Sequence, residues 1–129
     1  VGAAARSGGP RGFGLRLPRA ARLRRSADFR QVQGGGQRIR GAHILVVVAP
    51  GGCAWARFGL AVSRKVGGAV VRNRVKRWLR EAIRHERAAF AAPLDVVFIA
   101  HPSAATAGAA GVRAEVRAAL QRARRRPAR

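Results

Sequence analysis

Residues 59–85 read GLAVSRKVGGAVVRNRVKRWLREAIRH, and the fold turns on how this stretch divides. Residues 57–63 (RFGLAVS) alternate, with Phe58, Leu60 and Val62 on one face, the period of a strand. From position 71 the period changes. Val71, Val75, Trp78, Leu79, Ala82 and Ile83 recur at helical spacing, which predicts a helix over residues 71–90 with Pro93 just past its end. At about 100° per residue, Asn73, Lys76, Arg77, Arg80, Arg84 and Arg87 fall opposite Val71, Val75, Leu79 and Ala82. Arg72 and Arg74 flank the boundary. A solvated helix face usually mixes signs, and here only Glu81 and Glu86 interrupt the cations. One side of the helix is therefore suited to a core and the other to a polyanion. Between strand and helix lie Ser63-Arg64-Lys65 and Val66-Gly67-Gly68-Ala69. Backbone N–H groups at a helix N-terminus attract phosphate, and glycines let it come close. The spacing is not that of a nucleotide-hydrolase phosphate loop, which needs a Gly-Lys-Ser/Thr pattern.

Working outward, residues 27–33 read as a short helix capped by Ser26 and stopped by Gly34-Gly35-Gly36. Leu23, Phe29 and Val32 can line one side of it. Residues 43–48 (HILVVV) are β-branched and read as a strand closed by Pro50-Gly51-Gly52. With residues 57–63 across a Gly-rich turn, they suggest an antiparallel pair. Residues 95–100 (DVVFIA) read as a buried strand and residues 103–111 as a small-residue loop. A last helix is predicted over residues 112–125, with Val112, Val116, Leu120 and Ala123 on one face. Together these elements predict a two-layer α+β domain. Residues 1–17, rich in Gly, Ala and Arg, are expected to be a disordered basic extension. Residues 18–124 form the folded unit, and 125–129 a basic tail.

The chain of 129 residues suffices for one domain. Lys and Arg number 27 against 5 Asp and Glu, a formal charge of +22. Self-repulsion at that charge opposes compaction, so a polyanionic partner is expected, nucleic acid before an anionic membrane. Lys65 and Lys76 are the only lysines. Arginine forks and stacks onto RNA, but a GC-rich coding sequence gives the same bias, so the preference decides nothing. Cys53 stands alone, which excludes an intrachain disulfide and fits a reducing cytoplasm. No apolar run approaches the roughly 20 residues of a membrane span. Residues 1–12 lack the apolar segment of a signal peptide. The chain begins with Val1 and contains no Met, which points to an alternative start codon or a trimmed end. Asp28, Glu81, Glu86, Asp95 and Glu115 are scattered over different elements, whereas a two-metal nuclease needs converging carboxylates. His43, His85 and His101 show no metal-ligand spacing with Cys53. An autonomous metal-dependent nuclease is not expected.

Residues 59–80 resemble the signature of the ribonuclease P protein family. In that signature a strand ends in basic residues, a Val-Gly-Asn-Ala-Val-like loop follows, and then Arg-Asn-Arg-x-Lys-Arg. Here the last element is Arg72-Asn73-Arg74-Val75-Lys76-Arg77, continued by Arg80. The likeness extends more weakly over residues 23–120. It implies an α-β sandwich of order α-β-β-β-α-β-α with a left-handed β-α-β crossover, like a domain of a small-subunit ribosomal protein. It implies that Arg64, Lys65, Gly67, Gly68, Arg72, Asn73, Arg74, Lys76, Arg77 and Arg80 face a catalytic RNA. It implies a cleft between the first helix and the sheet for the 5′ leader of precursor tRNA, to which Phe29, His43 and Val46 correspond. No catalytic residue and no protein-bound metal or cofactor is implied: the RNA, with Mg²⁺, hydrolyses the phosphodiester bond. The expected partners are that RNA and precursor tRNA, with no obligate protein partner.

Three departures stand out. Gly68 occupies the usual Asn position, Gln33 replaces a second aromatic on the first helix, and His43 and Val46 stand where aromatics are common. The competing readings are a basic ribosomal-type structural RNA-binding protein and a DNA-compacting protein. The Arg72–Arg77 motif behind the Arg64–Gly68 loop favours the first reading over a ribosomal one. A DNA-compacting protein would show repeats or a dimerising helix, and neither is visible.

Overall fold

The computed structural model describes residues 22–23, 26–51, 55–86 and 94–125. The extension at 1–17, Cys53, residues 87–90 of the expected long helix and residues 126–129 lie outside them, as do the side chains of Ser26 and Asp28. The elements run α1 (Ser26–Gly35), β1 (Gln37–Arg40), β2 (Ile44–Pro50), β3 (Arg57–Ala61), α2 (Ala69–Glu86), β4 (Leu94–Ala100) and α3 (Gly108–Arg125). This is the α-β-β-β-α-β-α order.

The four strands form one sheet in the order β1-β2-β4-β3. β2 is antiparallel to β1 and to β4, while β3 runs parallel to β4. β2 and β3 are therefore not the paired strands that the sequence suggests, because β4 lies between them. The physical reason is burial. Apart from Asp95, which pairs with Arg57, Leu94–Ala100 is apolar toward both faces, which favours an interior position with a ladder on each side. β3 carries Gly59 and runs into polar Ser63-Arg64-Lys65, and it takes an outer position. The β3 edge is covered in part by the preceding chain: Leu23 N–H donates to Phe58 O at 2.8 Å, and Arg22 forms a parallel bridge with Phe58.

Alternation along the strands sorts two cores. Ile44, Val46 and Val48 of β2, Phe58 of β3 and Val96 and Phe98 of β4 face α2 and α3. Against them pack Val75, Leu79, Ala82 and Ile83 of α2, with Val112, Val116 and Leu120 of α3. Leu45, Val47, Ala49 and Val97 face the other way, toward Leu23 and Val32, with Phe29 and Ile99 partly buried beside them. α2 and α3 thus form the second layer of the sandwich, and short α1 covers part of the opposite sheet face.

Residues 103–111, read as a loop, are mostly helical. Pro102–Thr106 form a 3-10 turn and α3 begins at Gly108. Pro102 at the first position has a fixed φ that suits a helix start. The alanines that look featureless in sequence are the strongest helix formers. α2 also begins two residues earlier than its apolar period indicates, at Ala69.

Candidate nucleic-acid interface

α2 positions the cations. Val75, Leu79, Ala82 and Ile83 of its apolar stripe are buried, with Val71 and Trp78 half-buried beside them, which fixes the rotation of the helix about its axis. Asn73, Arg74, Arg77 and Arg80 are then exposed, and Arg72 and Lys76 half-buried at the margin. Both carboxylates of the helix are engaged: Glu81 lies 3.8 Å from Arg84, and Glu86 lies 3.3 Å from Arg117 of α3. Among the described residues, Arg74, Lys76, Arg77 and Arg80 make no ion pair. The Nε of Arg72 is buried without a hydrogen-bond partner there. The Nε of Arg84, one turn past Arg80, is in the same condition.

The loop before α2 is held from within. Val66 is buried, Val66 N–H donates to Ser63 O at 3.1 Å, and Gly67 N–H donates to Arg64 O at 3.2 Å. Lys65 N–H donates to Ser63 Oγ at 3.3 Å, leaving the Arg64 and Lys65 side chains exposed. Gly67 is required: its φ is +156°, and a Cβ there would stand 2.8 Å from Val71 Cγ1. Gly68 is not, since a Cβ at that position meets open space. Gly68 O accepts from Arg72 N–H at 2.9 Å, so it is the residue that caps α2. The loop thus leaves Arg64 and Lys65 exposed just before the helix that carries Asn73, Arg74, Arg77 and Arg80 toward solvent.

Sequence reasoning missed Val70. It is 72% exposed, the one large hydrophobic side chain so placed among the described residues, and it shares a helix ridge with Asn73, Arg74 and Arg77. The signal was present: an apolar residue one position off the buried stripe, inside the cationic arc.

The three residues expected to form a leader cleft are not brought together. Phe29, on α1, lies against Gly59 of β3. Val46 points to the opposite face of the sheet, 2% exposed beneath α2 and α3. His43 precedes β2 and turns to α3: its Nδ1 lies 2.8 Å from Ser103 Oγ, and its N–H donates to Glu115 Oε1 at 3.0 Å. On Phe29's face the strand register instead aligns Arg40, Leu45, Ile99 and Ala61 in a row across all four strands. Arg38 stands beside that row and donates from Nη2 to Gln33 O at 3.3 Å. This face carries the buried pair Arg57–Asp95 at its other end, with bonds of 3.0 and 2.8 Å.

A family model described as Ribonuclease P matches residues 17–124. The chain belongs to the ribonuclease P protein family. The ribonuclease P protein component of Desulfovibrio desulfuricans is 46% identical over 110 residues, covering 82% of this chain and 85% of that one. That of Acidothermus cellulolyticus is 42% identical over 105 residues, covering 77% and 84%. Among solved structures, the RNase P protein of Staphylococcus aureus superposes with a TM-score of 0.74 at 26% identity, covering 80% of this chain and 94% of that one. The RNase P protein of Thermotoga maritima gives 0.71 at 28% identity, covering 78% and 96%. Ribonuclease P is a tRNA-processing ribonucleoprotein nuclease, so the chain is a protein subunit of that assembly. Within the family frame, Gln33 lies one turn after Phe29 on α1, and its backbone carbonyl serves Arg38.

Proposed function

We propose that α2 and its loop bind the catalytic RNA of ribonuclease P, and that the α1 face of the sheet holds the 5′ leader of precursor tRNA. The observation that carries the first part is the uncompensated cation row Arg74, Lys76, Arg77 and Arg80, contiguous with exposed Arg64 and Lys65. Val70, exposed on the same helix ridge, adds an apolar contact. For the leader, Phe29 and the row Arg40–Leu45–Ile99–Ala61 offer a ring, an apolar floor and a cation. Single-stranded RNA is held by such platforms with little sequence demand.

The protein residues bind and orient; the RNA, with Mg²⁺, carries out hydrolysis. Each described carboxylate lies against a basic side chain or a backbone N–H. Glu81 faces Arg84, Glu86 faces Arg117, Asp95 is forked by Arg57, and Glu115 takes His43. Among the described residues no three His, Cys, Asp or Glu side chains converge as metal ligands. None of their helices is long and apolar enough to cross a membrane.

The test is to purify the chain from its host and sequence the RNA bound to it. Recovery of one structured RNA together with precursor tRNAs is expected. Recovery of ribosomal RNA alone would instead favour a ribosomal-type role.

A further inference from the structure

A groove of about 640 Å³ runs between α2 and α3, on the flank of α2 away from Lys76 and Arg80. Its floor is built from small residues, Ala82 on α2 and Ala110 and Ala114 on α3, and the half-buried Trp78 lies among them. Their short side chains leave the space between the rims open. Arg77 and His85 stand on one rim, and Arg113 and Arg117 on the other. Glu81 is the single carboxylate lining the groove, and it faces Arg84. Arg113 and Arg77 make no ion pair among the described residues, while Arg117, 58% exposed at its side chain, uses its Nε for Glu86.

We infer that this groove is a second RNA site, in which an unpaired nucleotide of the catalytic RNA stacks on Trp78 while its flanking phosphates meet Arg77, Arg113 and Arg117. Two observations carry the assignment. The first is chemical: arginines on both rims of a cleft holding one indole is the combination that single-stranded nucleic acid uses, with backbone charge at the rims and a π-face between. The second is continuity: Arg77 belongs both to the groove and to the cation row of α2, so an RNA bound on that row reaches the groove rim without leaving the protein surface. An acidic peptide would also satisfy the arginines but has no use for a half-buried indole in the groove lining. A lipid surface is flat, and the groove is concave. The inference rests on the proposal that α2 binds the catalytic RNA, and it extends the footprint from α2 to α3.

The experiment uses the full chain and the RNA subunit transcribed from the same host. The chain has two tryptophans, so Trp55→Phe leaves Trp78 as the sole indole reporter. Titration with the RNA subunit should quench Trp78 fluorescence in parallel with binding measured by filter retention. Arg113→Gln/Arg117→Gln should weaken that binding severalfold. It should also make the log–log salt dependence shallower by about 1–2, the loss of one or two phosphate contacts. Both side chains are exposed, and circular dichroism checks that the variant is folded. Unchanged affinity and slope for the double variant would overturn the groove assignment while leaving α2 as the RNA face. Quenching by poly-glutamate or by phosphatidylglycerol vesicles, but not by the RNA, would assign another polyanion and equally overturn it. Failure of the wild-type chain to bind the RNA subunit at all would instead count against the function proposed for α2.

Discussion

The ring of Phe29 rests on Gly59: a Cβ built on Gly59 would stand 2.7 Å from Phe29 Cζ and 2.9 Å from Cε1. The contact joins α1 to β3, and through it sets the depth of the α1 face of the sheet. Glycine inside a strand often marks such a close approach. Gly59→Ala should therefore lift the ring and destabilise the fold by about 1–3 kcal/mol, the usual cost of overpacking. Phe29→Leu in the same background should recover part of that loss, because the shorter side chain leaves room for the methyl. Urea melts of the two single variants and the double variant measure the coupling. Strict additivity would show that the ring and the glycine do not press on each other in solution.

The cation row gives a prediction about salt. Replacing Arg74, Arg77 and Arg80 with Gln should weaken binding to the catalytic RNA and flatten the log–log salt dependence by roughly 2–3, since fewer counterions are released. These side chains are exposed and lie off the buried stripe of Val75, Leu79, Ala82 and Ile83, so thermal stability should hold. Leu79→Ala is the opposite control: it should cost about 2–5 kcal/mol of stability as a buried large-to-small change. Equal affinity and slope for the triple variant would remove the row from the interface.

The loop separates two glycines that look alike in sequence. At Gly67 the φ of +156° and the contact with Val71 both oppose a side chain, so Gly67→Ala should destabilise by more than about 1 kcal/mol. Gly68 caps α2 and meets open space. Gly68→Asn, the residue the family signature carries there, should stabilise by a few tenths of a kcal/mol by capping the helix with its side chain. Thermal melts of the two variants moving in the same direction would contradict this account of the corner.

What was legible in the sequence was what one element decides by itself. The cationic face of α2 needs only the helical period from Val71 to Ile83, so the residues exposed on it could be named before any tertiary structure. The order of strands could not, because the placement of β4 between β2 and β3 depends on pairings distant in the chain. β1, Gln37–Arg40, is too short and polar to announce itself. The leader face failed for a sharper reason. Side chains on a strand alternate between faces, so moving by one residue from Val46 to Leu45 crosses the sheet. Nothing local to residues 43–48 tells which face α1 will cover. That depends on contacts distant in the chain: Val32 packing with Leu45, Val47 and Val97, and Phe29 meeting Gly59.

Catalysis should belong to the ribonucleoprotein. The chain alone should leave precursor tRNA intact with Mg²⁺ or Mn²⁺, whereas the chain with its RNA subunit should release the leader. Asp95→Asn should lower stability, since it removes the negative charge and one of the two acceptor oxygens that the Arg57 guanidinium uses. It should leave the cleavage rate of the assembled enzyme unchanged at saturating protein. Specific cleavage by RNA-free protein, abolished by Asp95→Asn, would refute the division of labour.

The leader face yields the most discriminating set of variants, because the structure and the sequence resemblance disagree about its residues. Phe29 stays on that face, and Arg40, Leu45, Ile99 and Ala61 join it through the strand register. Val46 and His43 leave it, the first for the core under α2 and α3, the second for Ser103 and Glu115. Phe29→Ala, shown first to be folded, should lower affinity for a precursor with a leader of several nucleotides by up to about 1–3 kcal/mol, the worth of one stacked base. Arg40→Gln should lower it less and make the salt dependence shallower by about 1. Neither should alter affinity for mature tRNA, which has no leader to place. Val46→Ala should cost stability through the cavity it opens and should not discriminate between the two tRNAs. His43→Gln, which keeps a hydrogen-bonding side chain near Ser103, should likewise not discriminate. The measurement is holoenzyme binding to leadered and mature tRNA for all four variants. A leader-specific loss in Val46→Ala or His43→Gln, with none in Phe29→Ala and Arg40→Gln, would move the leader off this face.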